Sequence, residues 1–180
     1  MLEELKRSLD VAPVVKKGDY NYVIHPITDG IPYIDPSMLN EIVDVIVDTI
    51  IPELPPFDLI VTAEAMGIPL ATALSLRTGK PFNIIRKREY GLEGEVEVSQ
   101  QTGYSTAKLY INGLKKGDSI LFVDDILSTG GTLRSTLKAL IDEIGVVIAG
   151  IIIVVEKGDG GVRRGLEQDF GVKIHSLIHY

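Results

Sequence analysis

Residues 119–132, Ser-Ile-Leu-Phe-Val-Asp-Asp-Ile-Leu-Ser-Thr-Gly-Gly-Thr, put two acids and a turn rich in hydroxyls and glycine directly behind an apolar run. Ile120 to Val123 read as a buried strand, and Thr132 to Ile144 as an amphipathic helix with Leu133, Leu137, Leu140 and Ile144 on one side. A helix N-terminus carries unpaired backbone amides and the positive end of the helix dipole. The turn made by Ser128, Thr129, Gly130, Gly131 and Thr132 is therefore suited to a phosphate dianion, with glycines for close backbone approach and hydroxyls as donors. Asp124 and Asp125 would repel that phosphate. They suit vicinal sugar hydroxyls, or a hydrated magnesium ion that keeps several waters and few carboxylates. Other phosphate loops fit worse: there is no G-x-x-x-x-G-K-[ST], and no G-x-G-x-x-G follows a strand.

Two further segments have the chemistry to join this site. Ala63-Glu-Ala-Met-Gly-Ile68 leaves an apolar strand and opens a helix, so Glu64, Ala65, Met66 and Gly67 form a second place where amides meet an anion. Taken alone, it reads equally as a plain strand–helix connection. Arg86 and Lys87 follow the strand Phe82 to Ile85; basic residues there are usually just solvated, but a site for several negative charges needs cations. The histidines at 25, 175 and 179 have no metal-ligand spacing and read as structural.

The elements that must position these groups alternate between strand and helix. A short helix within 1–12 precedes a proline- and tyrosine-rich stretch, 13–36, of extended segments and turns. Asp35-Pro36 caps a helix whose Leu39, Ile42, Val43, Ile46, Val47 and Ile50 keep helical spacing. Then come strand 57–63, helix 68–76 ended by Gly79, and strand 82–85. The polar stretch Arg88 to Tyr104 reads as a long mobile loop or hairpin, of the kind that serves as a lid. After Lys108–Ile111 and the strand, turn and helix at 119–144 come strand Val146–Val155, a glycine-rich turn at Gly158–Gly161 and a last strand near Val172–Ile178. The fold class expected is α/β: a parallel sheet with helices on both faces plus a small hood, with ligands beyond the carboxyl ends of the strands. At 180 residues the expectation is one domain, its hood approximately 13–36 with part of 156–180 and its core approximately 37–155.

Composition narrows the function. A net charge of −7 argues against a nucleic-acid surface, and no cysteine is present for disulfides, thiolate chemistry or cysteine-rich zinc sites, which fits a cytoplasmic enzyme. The longest apolar run, Val146 to Val155, is interrupted by Gly150 and falls short of the roughly 20 residues of a membrane span. The N-terminus mixes acids with bases and lacks the apolar stretch of a secretory signal.

Val123 to Thr132 resembles the signature of type I phosphoribosyltransferases, in which two acids sit on the ribose of 5-phosphoribosyl-1-pyrophosphate and the turn grips its 5-phosphate. The resemblance implies magnesium, a purine-base substrate and a homodimer. It assigns Asp124, Asp125, Ser128, Thr129, Gly130, Gly131 and Thr132 to the donor, with Asp125 the candidate catalytic residue and both acids on the metal side, through water or ribose hydroxyls. Glu64 to Gly67 resemble the pyrophosphate loop, which in that family often holds a strained non-proline peptide, here expected near Glu64-Ala65. Arg86 and Lys87 match the basic pair that neutralises pyrophosphate in the purine members. Tyr104 resembles the loop tyrosine of adenine enzymes, although Gly103 stands where those carry glutamate. Ser128 stands where human-type hypoxanthine-guanine enzymes carry an aspartate base.

For the base pocket, Gly30 to Asp35 resembles the hood segment of adenine enzymes, with Tyr33 against the purine. Val155-Glu-Lys-Gly158 looks like the Glu-Lys pair of bacterial xanthine phosphoribosyltransferases, with Lys157 facing an exocyclic oxygen and Ile126 on the base side. A lysine only donates, so it suits O6 of hypoxanthine or guanine better than the amino group of adenine. The resemblance therefore implies purine salvage of the small archaeal hypoxanthine/guanine type, giving IMP or GMP and pyrophosphate. The alternatives are an adenine enzyme giving AMP and a ligand-sensing regulator that retains the phosphoribosyl site.

Overall fold

Strands rich in branched apolar residues and buried on both faces suit the middle of a parallel sheet, and the computed structural model builds one from them. It describes residues 1–17, 20–102 and 105–180. The chain's contacts fall into two compact units, residues 1–53 and 54–180.

In the first unit, α1 (Glu3–Asp10) buries Leu5 and Leu9 and is joined to α3 (Pro36–Val45) by Glu41, whose carboxylate accepts from the amides of Glu3, Glu4 and Leu5 at 2.7–3.3 Å. Strands β1 (Val14–Lys17) and β2 (Tyr20–Val23) pair antiparallel, followed by the single turn α2 (Pro26–Asp29). Asp35 caps α3 by accepting from Ser37 N at 2.8 Å, with proline at the first helical position, as the sequence indicates. The helix runs on through a wider π turn, Ile46–Ile50, to Glu53.

The second unit is a five-stranded parallel sheet in the order β4-β3-β7-β8-β9, made of β3 (Leu59–Ala63), β4 (Phe82–Ile85), β7 (Ser119–Leu127), β8 (Val147–Glu156) and β9 (Ile174–His179). Helices α4 (Gly67–Thr78), α5 (Gly131–Lys138, continuing as a π turn to Ile144) and α6 (Gly161–Phe170) connect the strands. Val61, Phe122, Ile151 and Ile153 form the core with Leu133, Leu137 and Leu140 of the α5 segment. From β3 the chain moves one way to β4, then returns to the other side at β7. That reversal puts the switch point between the carboxyl ends of β3 and β7, where open α/β sheets bind ligands.

Two local expectations change and one alternative is decided. The signature strand does not stop at Val123: pairing with β8 continues to Leu127↔Glu156, so both acids lie within β7. Of the two readings of 88–104, loop or hairpin, the hairpin is the one found, since β5 (Val96–Thr102) and β6 (Ser105–Ile111) pair antiparallel with Val98, Leu109 and Ile111 in the core. Residues 161–170 are a helix, where only a turn leading to a strand was read.

Candidate active site

The phosphate turn lies where β7 hands over to α5. Gly130 is the N-cap with φ +75°, and a Cβ there would come 2.5 Å from Val162 Cγ1 of α6, so both conformation and space call for glycine. Arg134 N donates to Gly130 O at 2.8 Å, closing the first helical turn. The earliest amides of α5, at Gly131, Thr132 and Leu133, have no acceptor within the helix and suit an anion. Ser128 and Thr129 stand before them, half-buried and exposed respectively.

Strand alternation sends the two acids to opposite faces of β7. Asp125 is buried at 8% exposure, on the side of Leu127. Asp124 keeps some surface on the side of Ile126, but its carboxyl sits deep enough that burial pushes it up to about 6, against the Asp125 N–H that donates to Oδ1 at 3.1 Å. Beside it, α4 begins against the sheet: a Cβ on Gly67 would lie 1.9 Å from Thr62 Oγ1, 3.1 Å from Asp124 Oδ1 and 3.2 Å from Val123 O. Thr62, fully buried in β3, was not singled out in the sequence; a polar residue inside the run Leu-Ile-Val-Thr-Ala was the available signal.

Glu64, Ala65 and Met66 make the turn between β3 and α4, and the Glu64–Ala65 peptide is cis, where the sequence resemblance pointed. Glu64 N donates to Ile85 O at 3.0 Å, tying this loop to the end of β4. There Arg86 is anchored by reciprocal backbone bonds with Tyr110 (3.1 and 2.6 Å), and its guanidinium pairs with the Glu64 carboxylate. Lys87 follows, exposed. At the other flank, Lys157 N donates to Leu127 O at 2.8 Å, which fastens the residue after β8 to the end of β7. Tyr33 belongs to the first unit and is 68% exposed, between the cis Ile31–Pro32 bond and α3. Tyr104 lies outside the described residues.

The second unit thus brings the acids, the phosphate turn, the Glu64–Gly67 loop and Arg86 together at the carboxyl ends of neighbouring strands. Two helix N-termini, an acid pair and a cation on a parallel sheet suit a phosphorylated sugar. The phosphoribosyl transferase domain model matches residues 42–175, and the chain belongs to that family. It is 54% identical to a hypoxanthine/guanine phosphoribosyltransferase of Methanohalophilus mahii and 58% identical to one of Methanosarcina barkeri, each over 178 residues covering 99% of this chain and 90% of the relative. Among solved structures it resembles adenine phosphoribosyltransferase from Thermoanaerobacter pseudethanolicus, at a TM-score of 0.79 and 26% identity over the full length of both chains. The Saccharomyces cerevisiae adenine enzyme shares the fold at a TM-score of 0.77, with 20% identity over 98% of each chain.

Proposed function

We propose that this protein is a hypoxanthine/guanine phosphoribosyltransferase, transferring the 5-phosphoribosyl group of 5-phosphoribosyl-1-pyrophosphate to N9 of a 6-oxopurine. The observation that carries the reading is identity of 50–58% to archaeal proteins of that name, seven of them over 178 residues, with adenine enzymes as more distant neighbours. Lys157, beside the end of β7, supports it: an ammonium donates to O6 and opposes an amino group.

In the reaction, N9 attacks C1 as the C1–O bond to pyrophosphate breaks, with positive charge developing on the ribose. The α5 N-terminus and the turn at Ser128 to Thr132 would hold the 5-phosphate, and Asp124 the ribose hydroxyls. Asp125 is the candidate catalytic carboxylate, countering the charge on the ring. Glu64 to Gly67 with Arg86 and Lys87 would receive the leaving pyrophosphate. The β5–β6 hairpin is the candidate lid against water, with Tyr104 the tyrosine that the resemblance assigns to it.

Magnesium fits the donor set. Among the described residues no group of three or more His, Cys, Asp or Glu could hold a metal, whereas magnesium takes one or two carboxylates plus water and substrate phosphates. Asp124 and Asp125 would hold it through water or the ribose hydroxyls, and it would supply charge neutralisation of the pyrophosphate. Among the described residues no helix is long and apolar enough to cross a membrane. A homodimer in the cytoplasm, without nucleic-acid or membrane partners, completes the proposal.

The test is turnover of hypoxanthine, guanine, xanthine and adenine with the ribosyl donor and magnesium. A preference for 6-oxopurines by wild type that collapses in Lys157→Ala is expected, because a site with mismatched buried donors discriminates by roughly 10⁴-fold. Efficient use of adenine with hypoxanthine barely turned over would replace this reading with the adenine enzyme.

A further inference from the structure

Strand β8 ends on Glu156, 1% exposed, one residue before Lys157. Its Oε2 accepts from Arg163 Nε at 3.0 Å and lies 3.5 Å from His179 Nδ1. Arg163 Nη1 donates onward to Glu167 Oε2 at 3.2 Å, and Glu167 Oε1 accepts from Ile174 N at 2.9 Å. One guanidinium on α6 therefore joins the last residue of β8 to the first of β9. The backbone adds Lys157 N to Leu127 O at 2.8 Å, Tyr180 N to Glu156 O at 2.8 Å and Gly158 N to Tyr180 O at 3.1 Å. Lys157 is thus suspended from both neighbouring strands.

The pair is an uneconomical way to gain stability. Glu156 Oε1 is buried and finds no donor among the described residues, and a buried carboxylate left half satisfied is costly where a neutral residue is not. What the arrangement does supply is geometry. A planar guanidinium between two carboxylates fixes their relative positions in a way that a flexible ammonium does not. The loop it closes is tight: Gly160 has φ +79°, and a Cβ there would meet Arg164 Nη1 at 2.9 Å and Glu156 Oε1 at 3.4 Å.

We propose that Glu156, acting through Arg163, is a positioning residue for Lys157, setting where the ammonium stands at the base end of the site. This rests on the base assignment above. Helix α6 also touches Gly130, but the phosphate turn has its own anchor in Arg134 N to Gly130 O, so donor binding is expected to be spared.

Glu156→Gln and Arg163→Gln separate the possibilities, with KM and kcat for hypoxanthine, adenine and donor measured beside the thermal midpoint. Misplacement of the ammonium should raise the hypoxanthine KM on the order of ten- to hundredfold. The donor KM should hold within about twofold, as expected when only base-side binding is lost. Glu156→Gln should add little to the loss already caused by Lys157→Ala, since both act through one group. Parallel loss for hypoxanthine and donor with a lowered midpoint, or full additivity with Lys157→Ala, overturns the proposal. Unaltered hypoxanthine KM in folded Glu156→Gln, or in Arg163→Gln should the first not fold, overturns it alone when the wild type uses hypoxanthine. A wild type confined to adenine overturns it together with the base assignment.

Discussion

Gly67→Ala is the substitution that most directly probes how α4 meets the acid pair. Its backbone does not require glycine, since Gly67 is absent from the positive-φ positions, so the cost is one of space alone. Considered by conformation, alanine should help by about 1 kcal/mol at most, chiefly because it narrows the unfolded ensemble. Against this, the new Cβ falls 1.9 Å from Thr62 Oγ1, and Asp124 Oδ1 and Val123 O stand at 3.1 and 3.2 Å. Thr62 can turn its hydroxyl only within a fully buried site, while Val123 O belongs to the sheet and cannot yield. Overpacking of this kind costs typically 1–3 kcal/mol, and here a backbone carbonyl that cannot yield puts it toward the upper end, leaving a net loss of about 1–2 kcal/mol.

The measurement is urea unfolding of wild type, Gly67→Ala, Thr62→Ala and the double variant, with donor binding followed alongside. Removing the Thr62 hydroxyl and methyl opens the space, so the double variant should recover on the order of 1 kcal/mol relative to the sum of the singles. Donor affinity should fall in Gly67→Ala, because α4 is pushed from Asp124, and return partly in the double. A Gly67→Ala protein as stable as wild type, with no coupling to Thr62, would refute the close approach and with it the role given to α4.

Asp124→Asn with Asp125→Asn should abolish turnover, checked by assay at saturating donor, yet leave the fold at least as stable at pH 7. The raised folded value of Asp124 makes its proton a stabiliser of the fold below the ordinary aspartate range, an effect lost as pH rises through about 6, so the variant's stability should vary less with pH there. Excision of 91–98, suited to testing a free loop, should instead unfold the protein because Val98 belongs to the core; circular dichroism melts check this. Shortening the hairpin between Gln100 and Ala107 should keep the melt and depress turnover far more than donor affinity. His25 takes the amide of Ile27 on Nδ1 at 3.2 Å, with Nε2 2.8 Å from Ser8 Oγ, and burial holds its pKa below the usual value despite Asp29. Its neutral form therefore contributes stability that is lost as pH falls from 6.5 through the folded value, by at most about 1.4 kcal/mol per pH unit, and His25→Asn should remove that slope from the melts.

The signature at 119–132 was legible because its parts are contiguous: an apolar run, acids, hydroxyls and glycines each act on the nearest backbone. Its limit was the strand's end, since an acid usually signals a surface, and only pairing with the long apolar β8 draws Asp124, Asp125 and Leu127 into the ladder. The hairpin was legible only as an alternative to a loop, for a related reason. Val96, Val98, Leu109 and Ile111 do alternate with polar partners, but a period of two over a short polar stretch is weak until the second strand supplies cross-strand neighbours. Helix α6 carries Val162, Leu166 and Phe170 four residues apart, a signal diluted by three glycines at 160, 161 and 165. Contacts such as Gly67 on Thr62, or Arg163 between Glu156 and Glu167, depend on the sheet order and leave no local trace.

Charge explains why the site needs this topology. The chain carries −7 overall, and two of its acids stand where a polyanionic donor is proposed to bind. Net charge therefore opposes the approach, and local fields must reverse it. The switch point does so by bringing the N-termini of α4 and α5 to adjacent strand ends, with Arg86 delivered by β4 on the same flank. In the free protein Arg86 is engaged by Glu64, so a pyrophosphate arriving there exchanges one anion for another and does not meet a bare cation. Helix amides are neutral groups that bring no carboxylate with them, so on the proposed function the selectivity for phosphate would rest in the backbone of two glycine-opened helices.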